Sequence, residues 1–181
     1  MTTVASRSLA PSAVHMSSMA SPPVRLADPM LFRQQAYIDG QWCDADGGGA
    51  SLPVLDPASG LAIGTVPDMG AAETRRAIDA ASAAWPEWRA KTGKERGAVL
   101  RRWFDLIIAH ADDLAAIMTA ECGKPLAEAR GEVTYGASFV EWYAEEAKRV
   151  YGDLIPHHAP GKRILVTKQP VGVVGAITPW N

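Results

Sequence analysis

In the middle of the chain, apolar residues recur at intervals of three and four, which is the spacing of one face of an α-helix. A first helix carries this pattern from Ala77 to Trp85, and we expect Pro86 to end it, because proline interrupts helical hydrogen bonding. A second helix is expected to begin at the capping box Thr92-Gly-Lys-Glu95, in which each end residue bonds a free backbone N–H of the first turn. Its predicted inner face contains Val99, Leu100, Trp103, Phe104 and Ile107.

Two further helices are expected. The third begins at Asp112 and Asp113, whose negative charge is favourable at the positive end of the helix dipole, and ends at Gly123 in a left-handed conformation. The fourth is expected to begin at Pro125 and to run to about Tyr151. Glu145 and Arg149 are predicted to pair on its solvent-facing side. Its predicted inner stripe is Leu126, Ala129, Val133, Ala137, Val140, Ala144 and Ala147.

The pattern predicts strands on both sides of the helices. Residues 36–42 are expected to form a hairpin around Asp39-Gly40, a dipeptide typical of two-residue turns. Residues 52–56, 62–66 and 163–168 predict further short strands. The run 171–177 is almost continuously apolar, which is typical of a strand buried on both faces of a parallel sheet. A parallel sheet needs more than one strand, so we expect its other strands to come from residues outside this sequence.

Composition and charge restrict the class of protein. A length of 181 residues with 48% hydrophobic and 21% charged residues is typical of a globular chain with one ordinary domain. The formal net charge of -2 predicts no general attraction to nucleic acid or to an anionic membrane surface. No apolar run reaches the roughly 20 residues that cross a bilayer, so no membrane role is expected.

The residues that could bind a metal show no ligand spacing. Cys43 and Cys122 lie far apart and are expected to be reduced, structural thiols. The pair His157-His158 lacks a third ligand and is expected to be exposed to solvent. We therefore expect no metal site. The glutamates at positions 121, 128 and 132 are interpreted as a solvated helix face.

The first 27 residues are rich in Ser, Ala and Pro and contain no acidic residue before Asp28. We favour a disordered leader or an over-extended start over a mitochondrial presequence, because Pro11, Pro22 and Pro23 would interrupt an amphipathic helix. The expected location is therefore the cytoplasm, with the mitochondrial matrix as the alternative.

Four segments in order resemble one known family. They are Leu31-Phe-Arg-Gln-Gln-Ala-Tyr-Ile-Asp-Gly-Gln-Trp42, Val66-Pro-Asp-Met-Gly-Ala-Ala-Glu-Thr-Arg75, Gly123-Lys-Pro-Leu-Ala-Glu-Ala-Arg-Gly131 with Tyr151-Gly-Asp153, and Lys168-Gln-Pro-Val-Gly-Val-Val-Gly-Ala-Ile-Thr-Pro-Trp-Asn181. Together they resemble the aldehyde dehydrogenase superfamily, most closely its NAD(P)-dependent succinate-semialdehyde branch. One departure is Cys122, where related chains often carry Gln.

The resemblance implies an α/β fold and a division of the chain. It implies β-hairpins, helices, an oligomerisation β-arm and the first strand of a doubly wound sheet. Residues 1–30 would be a disordered leader, and residues 31–152 the N-terminal part of the cofactor-binding domain. Residues 153–171 would be the β-arm, and residues 172–181 the first Rossmann-type strand with a truncated active-site turn. The arm implies a homo-oligomer for the full-length protein.

The resemblance also implies a reaction and site residues. A cysteine thiolate attacks the aldehyde, hydride passes to NAD or NADP, and water activated by a glutamate hydrolyses the thioester. Asn181 matches the asparagine whose side-chain N–H stabilises the oxyanion, while Ile177, Thr178, Pro179 and Trp180 match the segment beside the cofactor. Tyr135 and Phe139 match positions near the substrate entrance, although we expect both to pack in the core.

The nucleophile and the base are expected beyond residue 181. Neither Cys43 nor Cys122 lies in the Gly-Gln-x-Cys context of the family nucleophile. The favoured hypothesis is therefore an N-terminal fragment of a dehydrogenase, inactive without the rest, that acts on a small aldehyde, with succinate semialdehyde favoured. Two alternatives remain: a non-catalytic oligomerisation or regulatory module derived from that family, and an all-helical binding module.

Overall fold

The computed structural model describes residues 24–179. In chain order its elements are β1 (Ala36–Ile38), β2 (Gln41–Cys43), β3 (Ser51–Leu55), β4 (Ala62–Pro67), α1 (Ala71–Ala90), α2 (Gly93–Ala109), α3 (Ala111–Cys122), α4 (Leu126–Glu146), β5 (Asp153–Ile155) and β6 (Ile164–Val166). Short 3-10 turns occupy Pro29–Leu31 and Asp46–Gly48. Within residues 24–179, no helix is both long enough and apolar enough to cross a membrane.

The six strands form three antiparallel hairpins, β1–β2, β3–β4 and β5–β6. The turn between β1 and β2 has φ angles of 51° at Asp39 and 77° at Gly40, so both central residues are left-handed, as a two-residue hairpin turn requires. The predictions for this hairpin and for β3 and β4 are confirmed to within about one residue. The hairpins exclude the all-helical alternative.

Helix α1 continues through Pro86 to Ala90, so the prediction that Pro86 ends this helix was wrong. Proline removes one N–H donor, but this loss is confined to a single turn of a 20-residue helix. Beyond the proline, Lys91 and Glu87 form an ion pair of 2.8 Å, and the Lys91 N–H closes the end of the helix on the carbonyl of Trp88.

The predicted N-terminus of α2 and the predicted C-terminus of α3 are confirmed. The N–H of Glu95 donates to Thr92 Oγ1 at 3.3 Å, and the N–H of Thr92 donates to the Glu95 carboxylate at 2.7 Å. Gly123 ends α3 with a φ of 75°. The predicted inner face of α2 is correct only in part, because Val99 and Trp103 are 51% and 55% exposed. Among the described elements only α4 packs on this helix extensively, and α3 touches it slightly, which leaves part of its apolar surface uncovered.

Helix α4 packs against both α2 and α3 through small side chains. Its buried residues are Ala129, Val133, Ala137 and Ala144, whereas Leu126, predicted to face inward, is 56% exposed. The helix ends at Glu146 rather than near Tyr151, and Pro125 is the residue before its first turn. After Glu146 the backbone turns more tightly, with the N–H groups of Lys148 and Arg149 donating to the carbonyls three residues earlier. The side chains follow the same spacing: Glu145 pairs with Lys148 and Glu146 with Arg149, in place of the predicted Glu145–Arg149 pair.

The predicted buried strand at residues 171–177 is absent from the structure. Residues 171–179 have no regular secondary structure, and Val171 and Ile177 are 91% and 101% exposed. A buried strand requires neighbours for its backbone N–H and carbonyl groups. Each strand described between residues 24 and 179 pairs with its own hairpin partner, and none of them pairs with residues 171–177.

A substitution at Gly97 would test the packing between α2 and α4. A Cβ at this buried position would lie 2.6 Å from the carbonyl oxygen of Ala144, which belongs to the rigid backbone of α4. Gly97→Ala should therefore push the helices apart and lower the free energy of unfolding by ~1–3 kcal/mol, measured by urea denaturation.

Gly131→Ala is the matched control, since a Cβ there meets nothing within 4 Å. This substitution should raise the free energy of unfolding by about 0.5–1 kcal/mol, because alanine favours the helix. An equal effect of the two substitutions would contradict the proposed role of close packing at Gly97.

Candidate functional site

A cavity of about 1030 Å³ opens between α2, α3 and α4. This volume lies near the upper end of the range for small-molecule and cofactor sites. Apolar residues of the three helices form most of its wall, and His110, Glu121 and Glu132 contribute polar groups. The apolar wall includes Ile107, Leu114, Met118 and Val133.

The last described residues reach this cavity. Thr178 and Pro179 line it, whereas Ile177 is fully exposed to solvent. Trp180 and Asn181 lie outside the described residues. Of the five residues predicted to contact the cofactor, the structure thus brings two to the cavity and leaves one outside it.

Tyr135 and Phe139 do not line the cavity, although their neighbours Gly136 and Ala137 do. The two rings contact each other edge-to-face with centroids 4.9 Å apart, and they are 65% and 47% exposed. The expectation that both pack in the core was therefore wrong. Their role at a substrate entrance stays a prediction.

Exposed aromatic side chains continue along the same face of α4. Trp142 and Tyr143 are 64% and 61% exposed, and with Tyr135 and Phe139 they recur at helical spacing. The sequence pattern contained this second stripe. It was missed because the alanine-rich stripe explains the packing of α4 without it.

The carboxylates at the cavity differ in environment. Burial raises the pKa of Glu121, which favours its protonated form. Lys124 forms an ion pair with Glu132, so this carboxylate is neutralised by a neighbouring cation. Glu121 and Glu128 are both exposed to solvent, although Glu121 is partly covered at the cavity, and Glu132 is half-buried. The interpretation of a solvated acidic face is therefore correct for Glu121 and Glu128 and wrong for Glu132.

Cysteine and histidine form no metal centre in the described part of the chain. No group of three or more His, Cys, Asp or Glu side chains that could hold a metal is found between residues 24 and 179. Both thiols are free and half-buried, and Cys122 lines the cavity at the end of α3. His157 and His158 are exposed, as predicted.

One model of a known protein family, the aldehyde dehydrogenase family, matches residues 42–181. This match includes all four helices described between residues 24 and 179 and every described residue that lines the cavity between α2, α3 and α4 except Leu31. The chain belongs to the aldehyde dehydrogenase family.

This aldehyde dehydrogenase chain is similar to relatives that are named for semialdehydes. It is 65% identical over 158 residues to the glutarate-semialdehyde dehydrogenase of Pseudomonas putida, which covers 87% of this chain and 33% of that protein. It is 60% identical over 158 residues to the NADP(+) succinate-semialdehyde dehydrogenase of Escherichia coli, with the same coverage of 87% and 33%. The chain thus spans about a third of the length of these relatives.

The fold agrees with solved structures of the family. The succinate-semialdehyde dehydrogenase from Burkholderia pseudomallei matches with a TM-score of 0.78 at 62% identity, over 81% of this chain and 30% of that chain. The predicted α/β fold is confirmed as the N-terminal portion of the aldehyde dehydrogenase fold, apart from the missing strand at residues 171–177.

A strap formed by residues 27–31 closes one side of the cavity. The N–H groups of Ala27 and Asp28 donate to the two carboxylate oxygens of Asp113 at 2.8 and 2.9 Å, and Leu31 lines the cavity wall. Asp113 is only 8% exposed. Residues 27–30 of the strap lie within the range 1–30 predicted as a leader, of which residues 1–23 lie outside the described residues.

The Asp113 carboxylate should make this strap sensitive to acid. Its hydrogen bonds from the N–H of Ala27 and then of Asp28 hold its pKa below the ordinary value of 3.8. A depressed pKa contributes stability above the ordinary value and loses it as the pH falls through the lower, folded value. Hydrogen exchange at Ala27 and Asp28, corrected for its intrinsic pH dependence, should therefore show protection near pH 6 and lose it below about pH 3.8.

Asp113→Asn should weaken the protection of the strap near pH 6 and remove this acid transition. Asp112→Asn is the control, because the Asp112 carboxylate lies 3.0 Å from Arg130 and bonds no strap N–H that the structure describes. The assignment to Asp113 would be wrong if the two variants behaved alike.

Proposed function

We propose that this chain is the N-terminal third of an NAD(P)-dependent dehydrogenase that oxidises a semialdehyde to a dicarboxylate. The observation that carries the proposal is the identity of about 60–65% with relatives named for glutarate and succinate semialdehyde. Since the chain spans a third of these proteins, we assign the activity to the full-length polypeptide and not to residues 1–181.

Asn181 is the residue of this chain that we place closest to the reacting atoms. It follows Thr178 and Pro179, which line the cavity between the helices. Its side-chain N–H would donate to the oxyanion that forms when a thiolate adds to the aldehyde carbon. A carboxamide is a suitable donor, because it does not titrate and stays neutral as the negative charge develops.

The cofactor is NAD or NADP, and the bound nicotinamide supplies the acceptor for the hydride. Thr178 and Pro179 are suited to pack beside a nicotinamide, because they combine a hydroxyl with a rigid apolar ring at the cavity wall. The residue at position 180 would extend this surface with an indole.

The proposed substrate class is a short aldehyde that carries a second, anionic carboxylate. Glutarate and succinate semialdehyde differ by one methylene, which a pocket distinguishes by only ~1–3 kcal/mol, or about 10- to 200-fold in kcat/KM. The preferred member is therefore decided by comparing kcat/KM for the two substrates on the full-length enzyme.

The β5–β6 hairpin, residues 153–166, is the part that we assign to contacts between subunits. It lies outside the helical bundle, and Leu154 and Leu165 are 75% and 70% exposed. Exposed leucines on a two-stranded hairpin favour pairing with another chain. The same feature supports the second candidate function, a non-catalytic module that joins a longer relative. Mixed oligomers of the two chains, detected by light scattering without gain of activity, would favour that alternative.

The first test is an assay of purified residues 1–181 with succinate or glutarate semialdehyde and NAD or NADP. We expect no reduction of the cofactor above the background without protein, whereas the full-length polypeptide should reduce it. Turnover by residues 1–181 would overturn the assignment of activity to the longer protein.

The second test addresses Asn181 in the full-length enzyme. Asn181→Ala should lower kcat by about 10²–10³-fold, because one oxyanion donor is lost. The KM should change little, since this interaction forms mainly in the transition state. Asn181→Asp, which keeps the shape and adds negative charge, should be at least as slow. A wild-type kcat in either variant would contradict the proposed role.

A further inference from the structure

A second cavity, of about 460 Å³, lies beside the junction of α1 and α2. The C-terminal half of α1, the first turn of α2 and residues 168–170 form most of its wall. It adjoins the opposite end of α2 from the first cavity: Arg96 borders the second, and Trp103 is the nearest residue of α2 that borders the first. Seven residues of helix correspond to ~10 Å, and none of the described residues lines both cavities, so the two cavities are separate.

Three cationic side chains line this second cavity, Arg89, Arg96 and Lys168. No carboxylate is among the described residues that line it. The two nearby glutamates are already engaged, Glu87 with Lys91 at 2.8 Å and Glu95 with the N–H and hydroxyl of Thr92. The cavity therefore carries excess positive charge, which attracts an anion.

Arg96 is held in place before any ligand binds. One of its guanidinium nitrogens donates to the carbonyl of Lys91, and the residue is half-buried. A guanidinium has five N–H donors in a planar fork, so others remain for a phosphate or carboxylate. Because this side chain is already anchored, binding a ligand to it would cost less side-chain entropy than binding a ligand to a mobile surface arginine.

Two indoles accompany these cations. Trp85 and Trp88 lie three residues apart on α1, are both half-buried, and line the same cavity. Tryptophan offers a flat face for stacking on a planar ring. Stacking of bases on aromatic side chains is a recurrent source of affinity in nucleic-acid complexes.

We propose that this second cavity binds a planar aromatic ring that carries a phosphate, of the size of a mononucleotide. The ring would stack on the indoles, and the phosphate would accept hydrogen bonds from Arg96, Arg89 and Lys168. A volume of about 460 Å³ is within the range for small-molecule sites. This site is separate from the residues that we assign to aldehyde oxidation.

The test uses purified residues 1–181 and three probes, AMP, adenosine and inorganic phosphate, in isothermal titration calorimetry. AMP should bind at least ten times more tightly than either adenosine or phosphate, because only AMP uses both the indoles and the cations. Its affinity should fall as salt is added, since the phosphate contacts are ionic. No binding of AMP, or an affinity no greater than that of phosphate or adenosine, would overturn the proposal.

Matched charge variants locate the binding. Arg89→Gln with Lys168→Gln should weaken AMP at least tenfold, and both positions are exposed, so the fold should be retained, as checked by circular dichroism. Arg102→Gln with Lys162→Gln removes the same charge from exposed positions outside the cavity and should leave the affinity unchanged. Equal losses in the two double variants would mean general electrostatic attraction and would refute the site.

Trp88→Leu separates stacking from charge. This variant should weaken AMP while leaving the weak affinity for inorganic phosphate unchanged. If AMP binds the variant as well as it binds the original chain, the indole has no role and the proposed ligand class is wrong.

Discussion

The close contact of α2 with α4 is the constraint on which the described structure depends. Gly97 lies against the carbonyl of Ala144, and Gly93 approaches the carbonyl of Ala147 even more closely. Neither glycine has a side chain, so the two backbones can touch. The core beneath them is made of small side chains, and no large side chain is fully buried in the described residues. Backbone proximity, rather than bulky apolar packing, thus positions α4 against α2, the helix that borders both cavities.

Features governed by neighbouring residues could be predicted from the sequence. The Asp39-Gly40 turn needs two left-handed residues, and the Thr92–Glu95 capping box needs two side chains three positions apart. The end of α3 needs a left-handed residue, which Gly123 provides because it has no Cβ. Each depends on local backbone geometry, which a short segment of sequence determines. The family resemblance had the same origin, since it was carried by short segments in a fixed order.

Features that depend on distant neighbours could not be predicted. The exposure of Val99 and Trp103 depends on which helices cover α2, and the conformation of residues 171–177 depends on strands with which to pair. The site shows the same limit. Thr178 and Pro179 border the first cavity, and their place beside the cofactor stays a prediction, whereas the outward direction of Tyr135 and Phe139 follows from the rotation of α4 against its partners. Neither the second cavity nor the strap was evident, because each joins residues far apart in sequence.

The strap has a consequence for the order of folding. Its two hydrogen bonds to Asp113 connect residues separated by 86 and 85 positions, whereas α3 and α4 are consecutive and meet through a short connection. Contacts between residues distant in sequence form slowly, because a large loop must close before they contribute any stability. The helices would therefore assemble first, and the N-terminal segment would dock last. During that interval the apolar wall beside Leu31 would stay open to solvent, which makes this face the one most prone to association while the chain folds.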